Sequence, residues 1–226
     1  MTLDTVPMKS RTSRSVPPLD EGSAFLASLD ADWARLVAET GPCGHQPKPA
    51  REPFEALVRA VAYQQLHVRA GDAITARLLA LHPDSSFPSP QQLLDTDVAA
   101  MRSCGFSARK TETIHGIAAA TLSGVIPDRA GALALEDEAL IERLSRLKGI
   151  GRWTVEMFLI YTMARADILP ADDFGVREGY RLLKSLDVAP TPKAMALIGQ
   201  DWSPHRTAAA WYLWRVPRPS KAKSRS

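Results

Sequence analysis

The stretch LKGIGRWTVEMF, residues 147–158, sets two glycines around one isoleucine and runs at once into an apolar helix led by Arg152 and Trp153. The segment before it, EDEALIERLSRL (136–147), reads as an amphipathic helix with an acidic first turn, as the helix dipole prefers. The apolar run from 152 to 165 reads as a second helix, buried on nearly every side. Glycines between two helices can take backbone angles closed to other residues. The second helix opens with N–H groups that lack helical partners. Those donors, with the positive helix end, make an anion site of phosphate size. Ile150 is expected to anchor the turn in a core. Lys148 and Arg152 flank it, with Arg143 and Arg146 one or two turns back, so a local basic patch is expected. A tight helical corner with ordinary surface charge fits the segment equally well. Downstream, LPADDFG (169–175) closes the apolar run with two adjacent carboxylates, Asp172 and Asp173.

The rest of the chain sets the bounds. Its 226 residues are 45% hydrophobic and 23% charged, the profile of a soluble globular protein with a good-sized core. No apolar run reaches the ~18–20 residues of a membrane span. Residues 1–20 hold no apolar signal-peptide core and read as a disordered arm. The two cysteines, Cys43 and Cys104, are too few for a four-thiolate iron–sulfur or zinc site and suit a reducing compartment. The net charge is +3, but 217–226, a basic disordered tail, carries four positive charges and 1–20 a net +1, leaving about −2 over 21–216. An anionic partner must therefore meet a local patch on the body rather than a bulk field.

Helical periodicity runs throughout. Helices are predicted over 22–40, 52–66, 68–82, near 90–95, 97–103, 107–124, 136–147, 152–165, 173–186, 192–199 and 204–216, with GPCGHQPKP (41–49) a loop. No alternating stretch competes, so the fold class is all-α.

Three motifs then carry a resemblance. LSRLKGIGRWTVEMFLIYTMARADILPADDFGVREG (144–179) resembles the helix–hairpin–helix plus Gly/Pro-Asp element of the DNA glycosylase superfamily. FEALVRAVAYQQLHVRAGDAI (54–74) and GFSARKTETIHGIA (105–118) are similar to two further signatures of its DNA-3-methyladenine glycosylase II (AlkA-like) branch. The resemblance covers roughly residues 22–216. It implies a two-lobed fold with the active cleft between the lobes, in one glycosylase domain (21–216, hairpin 144–154) between the arm and the tail. With about 20 residues before the first helix, the extra N-terminal β-domain of longer bacterial members is not expected.

The resemblance also implies roles. Amides at Gly149 and Gly151, with Lys148 and Arg152, would grip a DNA phosphate, which sets register without reading sequence. Carbonyls near Ser145, Leu147 and Ile150 would hold a Na+ or K+ ion; no cofactor is required and no iron–sulfur cluster is expected. Asp173 maps to the catalytic carboxylate, although an aspartate there also suits a helix N-cap. Asp172 is a cap or supporting residue. A carboxylate on the sugar face stabilises the positive charge that builds on deoxyribose and can orient water. An alkylated purine such as 3-methyladenine leaves as a neutral base and needs no strong general acid. The base must first leave the stack. An aromatic pocket from Trp153, Trp214, Tyr63 and Phe158 would attract a cationic base, at ~0.5–2 kcal/mol per contact. Core packing is the competing reading, strongest for Phe158. Trp153 stands where bifunctional relatives carry a Schiff-base lysine, which implies a monofunctional enzyme using water. In QQLHV (64–68), Gln65 aligns with the side chain that wedges into the duplex. Leu66 is adjacent, and apolar wedges are usual. His67 would probe the minor groove or cap a helix.

The expectation is a monomeric monofunctional glycosylase excising alkylated purines from double-stranded DNA in base excision repair, with no membrane partner. Its place would be the bacterial cytoplasm and nucleoid, or a eukaryotic nucleus. A glycosylase for uracil, hypoxanthine or etheno-adenine, or a non-catalytic DNA-binding module, are the alternatives.

Overall fold

The computed structural model describes residues 20–217. The predicted arm and tail lie outside these residues, apart from Asp20 and Pro217. Among the described residues there are thirteen α-helices, one 3-10 turn and no strand. No helix among them is long and apolar enough to cross a membrane.

The chain starts in the smaller of two lobes with α1 (Glu21–Leu29) and α2 (Ala31–Thr40). It crosses over to build the larger lobe. That lobe holds α3 (Pro53–Tyr63), α4 (Val68–Ala80), α5 (Pro90–Asp95), α6 (Val98–Ser103) and α7 (Ala108–Leu122). It continues through α8 (Arg129–Leu133), α9 (Asp137–Ser145) and α10 (Arg152–Tyr161). The chain then returns to the smaller lobe as α11 (Phe174–Leu183), α12 (Pro192–Ile198), the 3-10 turn Gly199–Trp202 and α13 (Arg206–Leu213).

Each lobe has its own core. Leu57 and Val61 of α3, Ile114 and Ile117 of α7, and Val155 and Leu159 of α10 bury together in the larger one. Leu26, Trp33, Val176, Met195, Trp202 and Tyr212 form the smaller one, with Trp33 edge-on to Trp202 at 5.3 Å. Each such side chain contributes roughly 1.5–3 kcal/mol by leaving water. Trp214 packs against both cores, at the junction between the lobes.

Three segments depart from the sequence expectation. The helix expected over 22–40 is broken at Asp30, whose backbone is extended (φ −167°, ψ 175°). Its carboxylate accepts the N–H groups of Asp32 and Trp33 at 3.0 and 3.1 Å and so caps a new helix. Lys184, directly after α11, holds that corner, at 2.6 Å from Asp30. Helix α8 was not expected; Asp128 caps its five residues by accepting the Gly131 N–H at 2.8 Å. Helix α10 stops at Tyr161 rather than 165, because the 41–52 crossing takes its last carbonyls. Lys48 N–H donates to Tyr161 O at 2.6 Å, and His45 Nε2 lies 3.1 Å from Ile160 O.

In the smaller lobe, α11 and α13 cross at backbone contact. A Cβ on Gly179 would strike the Leu213 carbonyl carbon at 2.8 Å. This close crossing sets the start of α11, with Asp173, beside Trp214 at the end of α13.

Candidate active site

The 146–151 corner is built as its glycines require. Ile150 is buried, and its N–H closes the turn onto Leu147 O at 3.0 Å. Gly149 has φ +85°, and a Cβ there would overlap Thr113 of α7. Gly151 caps α10, its carbonyl accepting Thr154 N–H at 2.9 Å. A Cβ on Gly151 would meet nothing within 4 Å, so only open space lies before it. The amides of Gly151, Arg152 and Trp153 are first-turn donors beyond reach of helical carbonyls.

The basic patch expected around this corner is largely spent on partners within the chain. Arg152 donates to both Glu138 oxygens of α9, at 2.7 and 2.9 Å, and to Glu156 at 2.9 Å. Hydrogen bonding to Glu138 raises its pKa further above an already high value. Arg143 donates to the Val125 carbonyl at 2.7 Å. Arg152 thus braces α9 against α10, through a Glu138 pair that is itself largely exposed. Lys148 pairs with Glu112 of α7 at 2.6 Å, with both side chains mostly exposed. An exposed pair of this kind is worth about 0–1 kcal/mol, so Lys148 can exchange it for an anion. Periodicity also missed Glu156, which is 4% exposed within the supposedly apolar helix. Burial pushes its pKa up, against the pull of Arg152. Its spacing of four from Arg152 was the available signal.

Asp173 is the centre of the site and is also the N-cap of α11. Its Oδ1 accepts the Val176 N–H at 2.9 Å and the Trp214 indole N–H at 2.8 Å. Its Oδ2 accepts the Trp153 indole N–H at 2.8 Å. Three donors from three helices therefore fix the carboxylate, and Oδ2 keeps acceptor capacity for one more partner. The N-cap and site readings of Asp173 are compatible, because each oxygen has a separate job. Asp172 is exposed and caps nothing in α11. Gly175 leaves room for this arrangement, since a Cβ there would lie 2.8 Å from Trp214 Cδ1.

Exposed aromatic side chains adjoin the carboxylate. Trp153 is 44% exposed, Tyr161 39% and Phe174 66%. Tyr161 stacks on Trp214 with centroids 6.4 Å apart and planes at 18°. Burial raises the Tyr161 pKa, and the nearby Asp173 charge adds to that, so the hydroxyl keeps its proton. Tyr161 and Phe174 were not singled out from sequence. Tyr161 sits eight residues after Trp153, about two turns along the same flank, and Phe174 directly follows Asp173. On its other side Trp153 lines a cavity of about 490 Å³ shared with Arg152, Glu156, Asp172 and Arg206.

Other candidates lie elsewhere. Phe158 is 3% exposed and belongs to the larger core, so it offers no face to an incoming base. Tyr63 donates to Asp72 at the α3–α4 junction and packs on the larger core. Gln65, Leu66 and His67 form an exposed knuckle there. Gln65 is in the left-handed region at φ +57°, and His67 caps α4 by backbone alone. Cys43 and Cys104 lie in separate cores as free thiols.

Comparison with known proteins places this arrangement. The chain is 44% identical over 221 residues to DNA-3-methyladenine glycosylase 1 of Schizosaccharomyces pombe, across 96% of this chain and 94% of that one. The solved structure of the S. pombe 3-methyladenine DNA glycosylase in complex with abasic DNA is similar at a TM-score of 0.79. It shares 46% identity and covers 87% of this chain and 96% of its own. A DNA-3-methyladenine glycosidase structure from Bacillus halodurans is similar at a TM-score of 0.76. It is 30% identical and covers 87% and 88% of the two chains. Residues 58–205, which hold the hairpin, the aspartate and most of the larger lobe, match the family model, and the chain belongs to the HhH-GPD superfamily of base excision DNA repair proteins.

Proposed function

We propose that this protein is a monofunctional DNA glycosylase that flips an alkylated purine of the 3-methyladenine or 7-methylguanine type from duplex DNA and hydrolyses its N-glycosidic bond. The carrying observation is the Asp173 carboxylate, held by the indole N–H groups of Trp153 and Trp214 beside exposed aromatic side chains. The names of the similar proteins point to the same substrate class.

The chemistry follows from the charges. A flipped cationic purine is attracted to the ring faces. As the C1′–N bond breaks, its electrons go to the base, which leaves neutral, and positive charge builds on the sugar. A carboxylate already oriented by three donors stabilises that charge without reorganising. The free acceptor position on Oδ2 can orient the water that attacks C1′ and take its proton. Trp153 supplies no amine, so no Schiff base forms and the strand stays intact.

The amides of Gly149, Gly151, Arg152 and Trp153, with Lys148, would hold a backbone phosphate, while the Ile150 N–H stays in the turn. Carbonyls of Ser145, Leu147 and Ile150 would hold a monovalent cation. The Ser145 hydroxyl is buried there with no hydrogen-bond partner, which fits an oxygen-lined ion position. Such an ion would add positive charge under the phosphate.

The test is base release from alkylated duplex DNA. Free 3-methyladenine or 7-methylguanine is expected, with strand breaks appearing only after alkali. Asp173→Asn should slow release on the order of a hundredfold or more. Unchanged release by that variant, or nicking without alkali, would refute the mechanism. Release of uracil or hypoxanthine instead would reassign the substrate.

A further inference from the structure

The segment Gly105–Ala118 has no part in the reaction above, yet its helix touches both surfaces that would face DNA. Lys110, in the first turn of α7, donates its ammonium to Ala62 O at 2.9 Å and Gln64 O at 2.8 Å. These carbonyls lie at the end of α3, where the helix leaves acceptors without partners. Three residues on, Thr113 fills the space over Gly149 of the hairpin, and Glu112 reaches Lys148. From the other side, Gln64 donates its amide to Gly149 O at 3.2 Å and Thr154 Oγ1 at 3.4 Å. Directly after this clamped point the chain turns at Gln65 and exposes Gln65, Leu66 and His67. Partial burial lowers the Lys110 pKa, so the ammonium sits under the knuckle against its own solvation preference.

We propose that Lys110 and Gln64 are positioning residues that lock the exposed Gln65–His67 knuckle to the hairpin, so that it enters the duplex at a set distance from the gripped phosphate. This rests on the glycosylase reading above. A loop free to shift by about 1 Å would lose much of its ability to hold the gap left by a flipped base. With both anchors in place, phosphate grip and wedge move as one body. The Gly105–Ala118 motif thereby has a function: α7 is the brace common to both.

The test compares single-turnover release from two synthetic duplexes. One carries a single 7-methylguanine opposite cytosine, the other the same base opposite a tetrahydrofuran abasic analogue. Lys110→Met and Gln64→Leu should each slow release from the paired lesion on the order of tenfold or more. Release opposite the analogue should stay within about threefold of wild type, because an unpaired base leaves the stack more easily. Lys110→Arg, which can still reach both carbonyls, should restore most of the rate. Equal slowing on both duplexes, or none on either, overturns the proposal, as a general folding defect ignores the opposite base. A second readout is 2-aminopurine beside the lesion, with Asp173→Asn as the parent. Its fluorescence rise on binding should fall when Lys110→Met is added; an unchanged rise overturns the proposal. If wild type releases no base but the rise depends on Lys110, the glycosylase reading fails and the positioning role stands.

Discussion

Trp153 and Trp214 each present two surfaces to the site, an indole N–H and a ring face, and substitution can separate them. Trp153→Phe keeps an aromatic face but removes a donor 2.8 Å from Asp173. A hydrogen bond to a charged group is worth about 1.5–3 kcal/mol, so release should slow roughly tenfold to a hundredfold. Trp153→Ala should lose more, having also lost the stacking face. Single-turnover kinetics on the same duplex measure both, and wild-type rates for Trp153→Phe would show that the hydrogen bond is idle. At this scale residue identities were readable from sequence, but partnerships were not. Arg152 was expected at a phosphate because it borders the hairpin, yet Glu138, fourteen residues earlier, takes two of its donors. Local spacing does not show which way a guanidinium turns when its acceptor lies on another helix.

Among the elements, caps and close crossings decide where helices begin and how they meet. Asp30 caps α2 and receives Lys184, so Asp30→Ala should lose about 1–2 kcal/mol of stability. Base release at a temperature where the variant is folded should be unchanged, since this corner is remote from Asp173 in the fold. Gly179→Ala should act differently. Its new Cβ meets a backbone carbonyl that no rotamer change can move. Stability and release should fall together, because that crossing brings Asp173 to Trp214. Urea unfolding paired with release assays separates the two cases, and undiminished release by folded Gly179→Ala would sink this account of the site. The break at Asp30 could have been suspected from LDADW, a capping residue inside an apolar stripe. The stripe outweighed it because apolar spacing stayed in phase across the break.

For the whole molecule, the 41–52 crossing ties the lobes together and carries a pH dependence. His45 donates through Nε2 to Ile160 O, which leaves Nδ1 as a buried acceptor with no partner. A second proton would place an N–H there with nothing to accept it. Burial accordingly holds the imidazole below its ordinary value of 6.5, and the Arg215 charge helps, against the pull of the Ile160 bond. The unfolded chain binds that proton first as pH falls. Stability is therefore complete above the unfolded value of 6.5 and declines below it, through the lower folded value. Urea midpoints at pH 7.5, 6.5 and 5.5 should show this decline, and His45→Gln should flatten it. Asp20, Asp30 and Asp167 have lowered pKa values, their hydrogen bonds outweighing burial. Their loss begins in the more acidic carboxylate range and does not mask the histidine.

Helical periodicity, the glycine corner, the order of three motifs and the aspartate before α11 were all local properties of the chain. They were enough for the all-α class and the family, and they marked the aspartate that opens α11. Periodicity reports which face of a helix is apolar, and φ-demanding glycines mark corners, so both survive without knowledge of neighbours. The assembly of the site is long-range. Trp153 and Trp214 converge on Asp173 because α11 and α13 cross at Gly179 and α10 closes against them from the other lobe. Tyr161 joins the site through its stacking on Trp214, while Phe158, three residues before it, turns into the core. Which aromatic faces solvent, which arginine is already paired and which lysine holds the knuckle depend on contacts between residues tens of positions apart. Those contacts exist only once the two cores have packed.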